Sequence, residues 1–316
     1  MRFGRLSVAL VLSFLLASLA RAQFKEPDPG NGAKLGDSQI QRWKVGMIVN
    51  ASGNCQGIVG YAPIPVDWPE QTVRIVEQDV TPSAKVTYIP VDGTVKVMKV
   101  VIRQLRAGEE ARALVTFEIN RHSILAPDDT DQFVLPETKK LKSSFRRYLA
   151  PSPKIESTDR KIKALAKEIG AGENKAWEKV EAIYDWVRDN VKYKDGPIKG
   201  ALAALRDGTG DCEELTSLFI ALCRASGIPA RTVWVDGHCY PEFYLLDKEG
   251  NGHWFPCQAA GARDFGGIPE LRPVLQKGDN FRPPWNRRKS QRYLAEHLTG
   301  SGGRPRVKFV REKVAN

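Results

Sequence analysis

The sequence predicts an α+β protein in two parts. A β-rich, sandwich-like domain covers residues 41–150, and a domain of helices packed on an antiparallel sheet covers residues 151–280. Three observations carry this. Short β-branched runs split by turn residues fill the first part. Three- and four-residue apolar spacing opens the second, and a β-meander closes it. The 316 residues are 42% hydrophobic and 27% charged, a balance that builds packed cores and excludes a wholly disordered chain. Five cysteines are too few for a disulfide scaffold.

Residues 1–22 read as a secretory signal peptide. Arg2 and Arg5 precede an apolar run from 6 to 19, and Ala20-Arg21-Ala22 gives a small-x-small end. The run is too short to span a bilayer well, and no second long apolar run follows. The expected product is exported (periplasmic, cell-surface or secreted), with no transmembrane anchor after cleavage. Residues 23–40, rich in Pro, Gly and charge, read as a flexible leader.

Strands are expected at 45–49, 72–76, 85–89, 95–102 and 114–119, with Pro63-Ile64-Pro65, Val91-Asp92-Gly93 and Ala107-Gly108-Glu109 as breakers. Between 95 and 103 apolar residues fall on both faces, so sidedness is undefined. Asp128, Asp129 and Asp131 could bind calcium or form a solvated turn, and the turn is favoured. Ile162, Leu165 and Ile169 share a helical face that Gly170 ends. Trp177, Val180, Ile183, Tyr184, Val187 and Val191 mark a long amphipathic helix, and 198–205 a shorter one. A further helix follows Cys212, with Leu215, Leu218, Phe219 and Leu222 on its face, and strands follow at 231–235, 239–246 and 253–257.

The formal net charge of +11 invites a nucleic-acid or membrane-surface reading, but its distribution argues otherwise. Arg2, Arg5 and Arg21 leave with the signal peptide, and residues 281–316 hold ten Lys/Arg against two Asp/Glu. The body between them is neutral. Residues 281–316 therefore read as a basic C-terminal tail, a plain solubilising segment or a contact for an anionic surface or polymer. Export disfavours nucleic acid, although Trp285 and Tyr293 could stack on bases. Residues 304–311 alternate like a strand that could add an edge to a sheet.

The chemistry centres on Cys212. Gly208 and Gly210 free the loop before it, and Asp211 can cap the helix it starts. A thiol there meets the positive end of the helix dipole, which favours the nucleophilic thiolate. Position alone also fits a small buried cysteine. A nucleophile needs a base, and the histidines are His122, His238, His253 and His297. His238, projecting between Asp236-Gly237 and a strand, is the candidate; His253 reads as a surface residue.

Gly210-Asp211-Cys212-Glu213-Glu214, the run Leu222 to Arg231, His238-Cys239-Tyr240-Pro241-Glu242-Phe243-Tyr244 and Trp254-Phe255-Pro256 together resemble the transglutaminase-like superfamily, over about residues 162–260. The resemblance implies a papain-like fold, with Cys212 as nucleophile and His238 as general base. Glu242 matches a frequent family position and is taken as structural. The third triad member departs, since Gln258 stands where the family has aspartate. Its amide carbonyl can accept the imidazole N–H, as asparagine does in papain-like enzymes, but supplies no charge. Asp264 is a nearby substitute without motif support.

Cys223 is expected in the core, and Cys55 is isolated. Cys239 and Cys257 adjoin the base and its orienter, as a disulfide or as two packed side chains. A zinc site of Cys212, Cys239, Cys257 and His238 has suitable ligand atoms but no close CxxC spacing. The expectation is therefore no cofactor and no metal. The resemblance implies an exported cysteine enzyme that hydrolyses or transfers peptide-type amides of a protein or peptide through a Cys212 thioester. The alternative is a weakly active or inactive binding module of the same fold.

Overall fold

The computed structural model describes residues 34–315. The expected signal peptide and most of the leader lie outside the described residues. Six long strands come first: β1 (Lys34–Asn50), β2 (Cys55–Ile64), β3 (Gln71–Val80), β4 (Ala84–Val91), β5 (Val95–Leu105) and β6 (Glu110–Leu125). Helices α1 (Arg160–Ile169) and α2 (Ala176–Asn190) follow, then β7 (Lys192–Tyr193), α3 (Ala201–Asp207), β8 (Thr209–Gly210) and α4 (Cys212–Ala225). Strands β9 (Ala230–Val235), β10 (His238–Leu246), β11 (Gly252–Pro256) and β12 (Gln276–Lys277) form the second unit's sheet. The chain ends with β13 (His297–Gly302) and β14 (Arg306–Val314).

The β-rich part consists of two antiparallel sheets, ordered β14-β1-β6-β3 and β13-β2-β5-β4. Trp43, Val45 and Met47 of β1, Ile58 of β2, Met98 and Val100 of β5 and Val115 and Phe117 of β6 bury one shared apolar cluster. The two-sided apolar pattern of 95–103 is thereby explained. Met98, Val100 and Ile102 face that cluster, while Val95 and Val97 face Phe281 and Leu294 on the other side.

Two expectations are corrected here. Residues 34–40, assigned to the flexible leader, are strand, because their backbone pairs with β6 (Lys34 opposite Leu125) although their side chains stay mostly exposed. Residues 281–315 are not a free tail. Phe281 and Leu294 are buried, β13 extends one sheet at β2, and β14 extends the other at β1. The alternation of 304–311 was the visible sign of β14. The acidic turn holds lysines: Asp128 pairs with Lys34, and Asp131 with Lys175.

In the second unit, α1, α2, α3 and α4 pack on the sheet β11-β10-β9-β12 around Trp177, Tyr184, Phe219, Phe243 and Phe255. Helix α4 lies at the centre, with Leu218 to Cys223 fully buried. The two units meet across buried contacts. Ile124 pairs by backbone with Ile268, and Gln71 exchanges side-chain hydrogen bonds with the Val274 backbone at 2.7 and 3.1 Å. Lys277 bridges Glu70 of the β-rich part and Glu242 of β10. Among the described residues no helix is long and apolar enough to cross a membrane.

Candidate active site

The loop into α4 is built by backbone geometry. Gly208 ends α3 in the left-handed region at φ 61°. Residues 209–210 then pair in parallel with Lys192–Tyr193, which delivers the chain to the start of α4. A β-carbon on Gly210 would collide with the Glu214 side chain, so the close approach there requires glycine. Asp211 caps the helix: its carboxylate accepts the Glu213 N–H at 2.8 Å, and Glu214 reaches back to the Asp211 N–H at 3.3 Å. The buried Glu214 also accepts the Lys199 and Gly200 N–H groups at 2.7 and 3.2 Å, which ties the α3 entrance to the nucleophile loop. Cys212 thus occupies the first helical position, half-buried.

His238 opens β10 after the Gly237 turn (φ 65°), and Gln258 follows β11. Their side chains meet: the His238 Nε2–H donates to Gln258 Oε1 at 2.8 Å. That bond fixes the tautomer and leaves Nδ1 to face the thiol. Gln258 is itself held at both backbone ends. Its N–H donates to the Asp264 carbonyl at 2.8 Å, and its carbonyl accepts Tyr184 Oη and Arg188 Nη1 at 3.0 and 2.9 Å. Asp264 therefore contributes through its backbone, and the ring's partner is Gln258.

The electrostatics favour an ion pair. A hydrogen bond from Cys239 is the largest influence on the Cys212 thiol, and with help from His238 it outweighs burial and pulls the pKa down to about 5. Burial opposes the charged form of His238, yet its hydrogen bonds to Cys212 and Gln258 raise its pKa above the usual value. Burial pushes the Cys239 thiol well up, so Cys239 stays protonated as a donor. The Thr216 hydroxyl, one turn beyond Cys212, bonds the Cys239 carbonyl at 3.5 Å and packs α4 on β10 at this point. Both shifts run in the same sense, toward a thiolate beside an imidazolium.

The other cysteines lie elsewhere. All five are free, so the Cys239–Cys257 disulfide does not form. The reason is register: the Cys257 N–H bonds the Pro241 carbonyl, two residues beyond Cys239, and Cys257 packs in the core with Cys223. Among the described residues no group of three or more His, Cys, Asp or Glu side chains gathers as a metal site. His253, expected at the surface, is buried and bonded to Asp247 at 2.8 Å, where it fixes the turn before β11. Glu242 is buried between Lys277 and Arg231, a structural place.

Sequence reading missed three neighbours of the thiol: Cys239 as its hydrogen-bond donor, Tyr193, which is 59% exposed beside it, and Arg292. Only the alternation rule, which turns Cys239 opposite to His238, bore on any of them, and it does not reveal that the residue faces α4.

Residues 163–259 match the family model of the transglutaminase-like superfamily. An uncharacterised protein of Haemophilus influenzae is 25% identical over 132 residues, which is 40% of this chain and 35% of that protein's length. The structure resembles that of a candidate cysteine protease from Cytophaga hutchinsonii, with a TM-score of 0.56 at 16% identity, covering 90% of this chain and 93% of that one. The periplasmic domain of TgpA from Pseudomonas aeruginosa aligns with a TM-score of 0.37 at 15% identity, covering 74% of each chain.

Proposed function

We propose that this chain, whose residues 163–259 match the transglutaminase-like family model, is a cysteine enzyme in which Cys212 attacks peptide-type amides and forms a thioester. The observation that carries this reading is the short His238–Gln258 bond beside a thiol held near pKa 5. The thiolate adds to the carbonyl, and the oxyanion would be met by the N–H groups at the start of α4. The His238 imidazolium then protonates the leaving amine, and the neutral imidazole activates water or an amine that resolves the thioester. Gln258 holds the ring throughout. Its carboxamide orients without stabilising the imidazolium by charge, so the site works with less electrostatic support than a carboxylate would give. The substrate would be a protein or peptide, and residues 1–22, read as a signal peptide, would direct the chain to export.

The test uses two probes on the purified protein. 4-Nitrophenyl acetate should acylate Cys212 in a burst, and fluorescein-labelled casein should be cleaved, or joined to a supplied amine. Cys212→Ala should abolish all of these. Casein turnover that survives Cys212→Ala overturns the proposal. Acylation without any amide turnover favours a binding module that keeps the fold. Export is tested by the N-terminus of the protein recovered from the producing cell, which should begin near Gln23.

A further inference from the structure

The first turn of α4 places three carboxyl groups, those of Asp211, Glu213 and Glu214, around the Cys212 thiol. Negative charge beside a thiol opposes its ionisation. The structure assigns each carboxyl a counterweight. Asp211 accepts the Glu213 N–H, and Glu214 is buried against three backbone N–H groups. Glu213 is paired with Arg292, a residue distant in sequence that comes from between β12 and β13.

Arg292 is held there rather than draped. Its guanidinium carbon lies 5.0 Å from the Trp234 ring centroid, and the next residue, Tyr293, packs edge-on to the same ring at 5.2 Å. The buried Gln276 clamps the backbone of Leu294 on both sides, at 2.7 and 2.9 Å. Phe281 and Gln291 close the loop through two backbone hydrogen bonds at 2.8 and 2.9 Å. The Arg292 side chain is only 13% exposed, its Nε and Nη1 are buried with no hydrogen-bond partner among the described residues, and it meets Glu213 Oε2 by charge alone. Burying a guanidinium at this cost is unusual unless its charge has work to do.

Resting on the reading of Cys212 as nucleophile, we propose that Arg292 is a positioning residue of the site: it neutralises Glu213 and thereby keeps the Cys212 thiolate stable. The other charged or titratable groups around the thiol are Asp211 and Glu214 of α4, His238 and Cys239 of β10, Tyr193 of β7, and Arg272, and the Arg292 charge also faces Asp211 and Cys212 directly. Arg272 is already engaged by Glu270 at 2.6 Å, so Arg292 is the cation that answers Glu213.

The experiment measures the pH dependence of iodoacetamide alkylation of Cys212 in the full chain, read by mass spectrometry of the labelled peptide. Wild type should show a midpoint near 5. Arg292→Gln should raise the midpoint by about one pH unit, which makes alkylation about tenfold slower on the acid side. Arg292→Lys should keep the wild-type profile. Arg292→Gln combined with Glu213→Gln should restore most of it, because the stranded carboxylate is gone, an outcome that lost packing would not give. An Arg292→Gln profile equal to wild type overturns the proposal, as does a double variant that stays shifted. A wild-type midpoint near an ordinary thiol's, about 8.5, instead defeats the reading of Cys212 itself.

Discussion

The exchange Gln258→Glu tests the site most directly. Glutamate has the length of glutamine, so its carboxylate would stand where Oε1 now accepts the His238 N–H at 2.8 Å. The change adds one negative charge and little else. Two unit charges about 4 Å apart interact by about 4 kcal/mol at an effective dielectric of 20, roughly three pH units. Solvent at this half-buried position should reduce the shift of His238 to about one to two units. The productive pair, thiolate with imidazolium, exists between the Cys212 pKa near 5 and the higher His238 pKa. Raising the latter therefore moves the basic limb of kcat/KM for 4-nitrophenyl acetate to higher pH and leaves the acid limb almost in place. Gln258→Ala should do the reverse, since one of the bonds that raises His238 is lost. The basic limb should fall, and turnover should drop about tenfold, the worth of one hydrogen bond of about 1.4 kcal/mol. A basic limb that ignores Gln258→Glu, or full turnover in Gln258→Ala, would refute the role given to this residue.

Two further outcomes follow from the fold. Glu242 is buried between Lys277 at 2.5 Å and Arg231 at 2.7 Å. Glu242→Gln should lower unfolding stability by about 3 kcal/mol in urea at pH 7, and an unchanged midpoint would contradict this. Although burial opposes its charge, the two cations lower the Glu242 pKa. Its contribution is thus present above the unfolded glutamate value near 4.3 and fades as pH falls through the lower folded value, so the variant should lose part of wild type's acid sensitivity. Deleting residues 297–316 removes β13 and β14 and bares the edges of β1 and β2. The truncated chain should melt earlier and self-associate on size-exclusion chromatography, and a monodisperse product with unchanged Tm would show these strands to be dispensable.

The readable parts of the sequence were those where side chains alone decide. The apolar spacing from Trp177 to Val187 marked α2 because that face is buried against Phe255 and Phe265. Gly210-Asp211-Cys212 announced a capped helix start because the capping chemistry is local. What stayed hidden depends on partners distant in the chain. Residues 34–40 become strand through the ladder of β6 rather than through an apolar pattern. In β2, the expected breaker at residues 63–65 and two glycines masked a strand, and Gly60 is needed where Met47 packs against it. His253 looked like a turn residue because nothing nearby shows that Asp247 folds back onto it. Arg292 was counted as one more charge of a basic tail, since its meeting with Glu213 is fixed only by the clamp at Gln276.

The pairing of β14 with β1 sets an order of events. Residues 42–50 wait for residues 306–314 before their ladder is complete, so the first sheet is sealed by a strand from the far side of the second unit in sequence. The segment bearing Cys212 and His238 is enclosed between those two stretches. Contacts so far apart in sequence are slow to form, because their loop must close before they repay its entropy. Until β14 docks, β1 keeps an unpaired edge, the kind of surface that invites association with another chain.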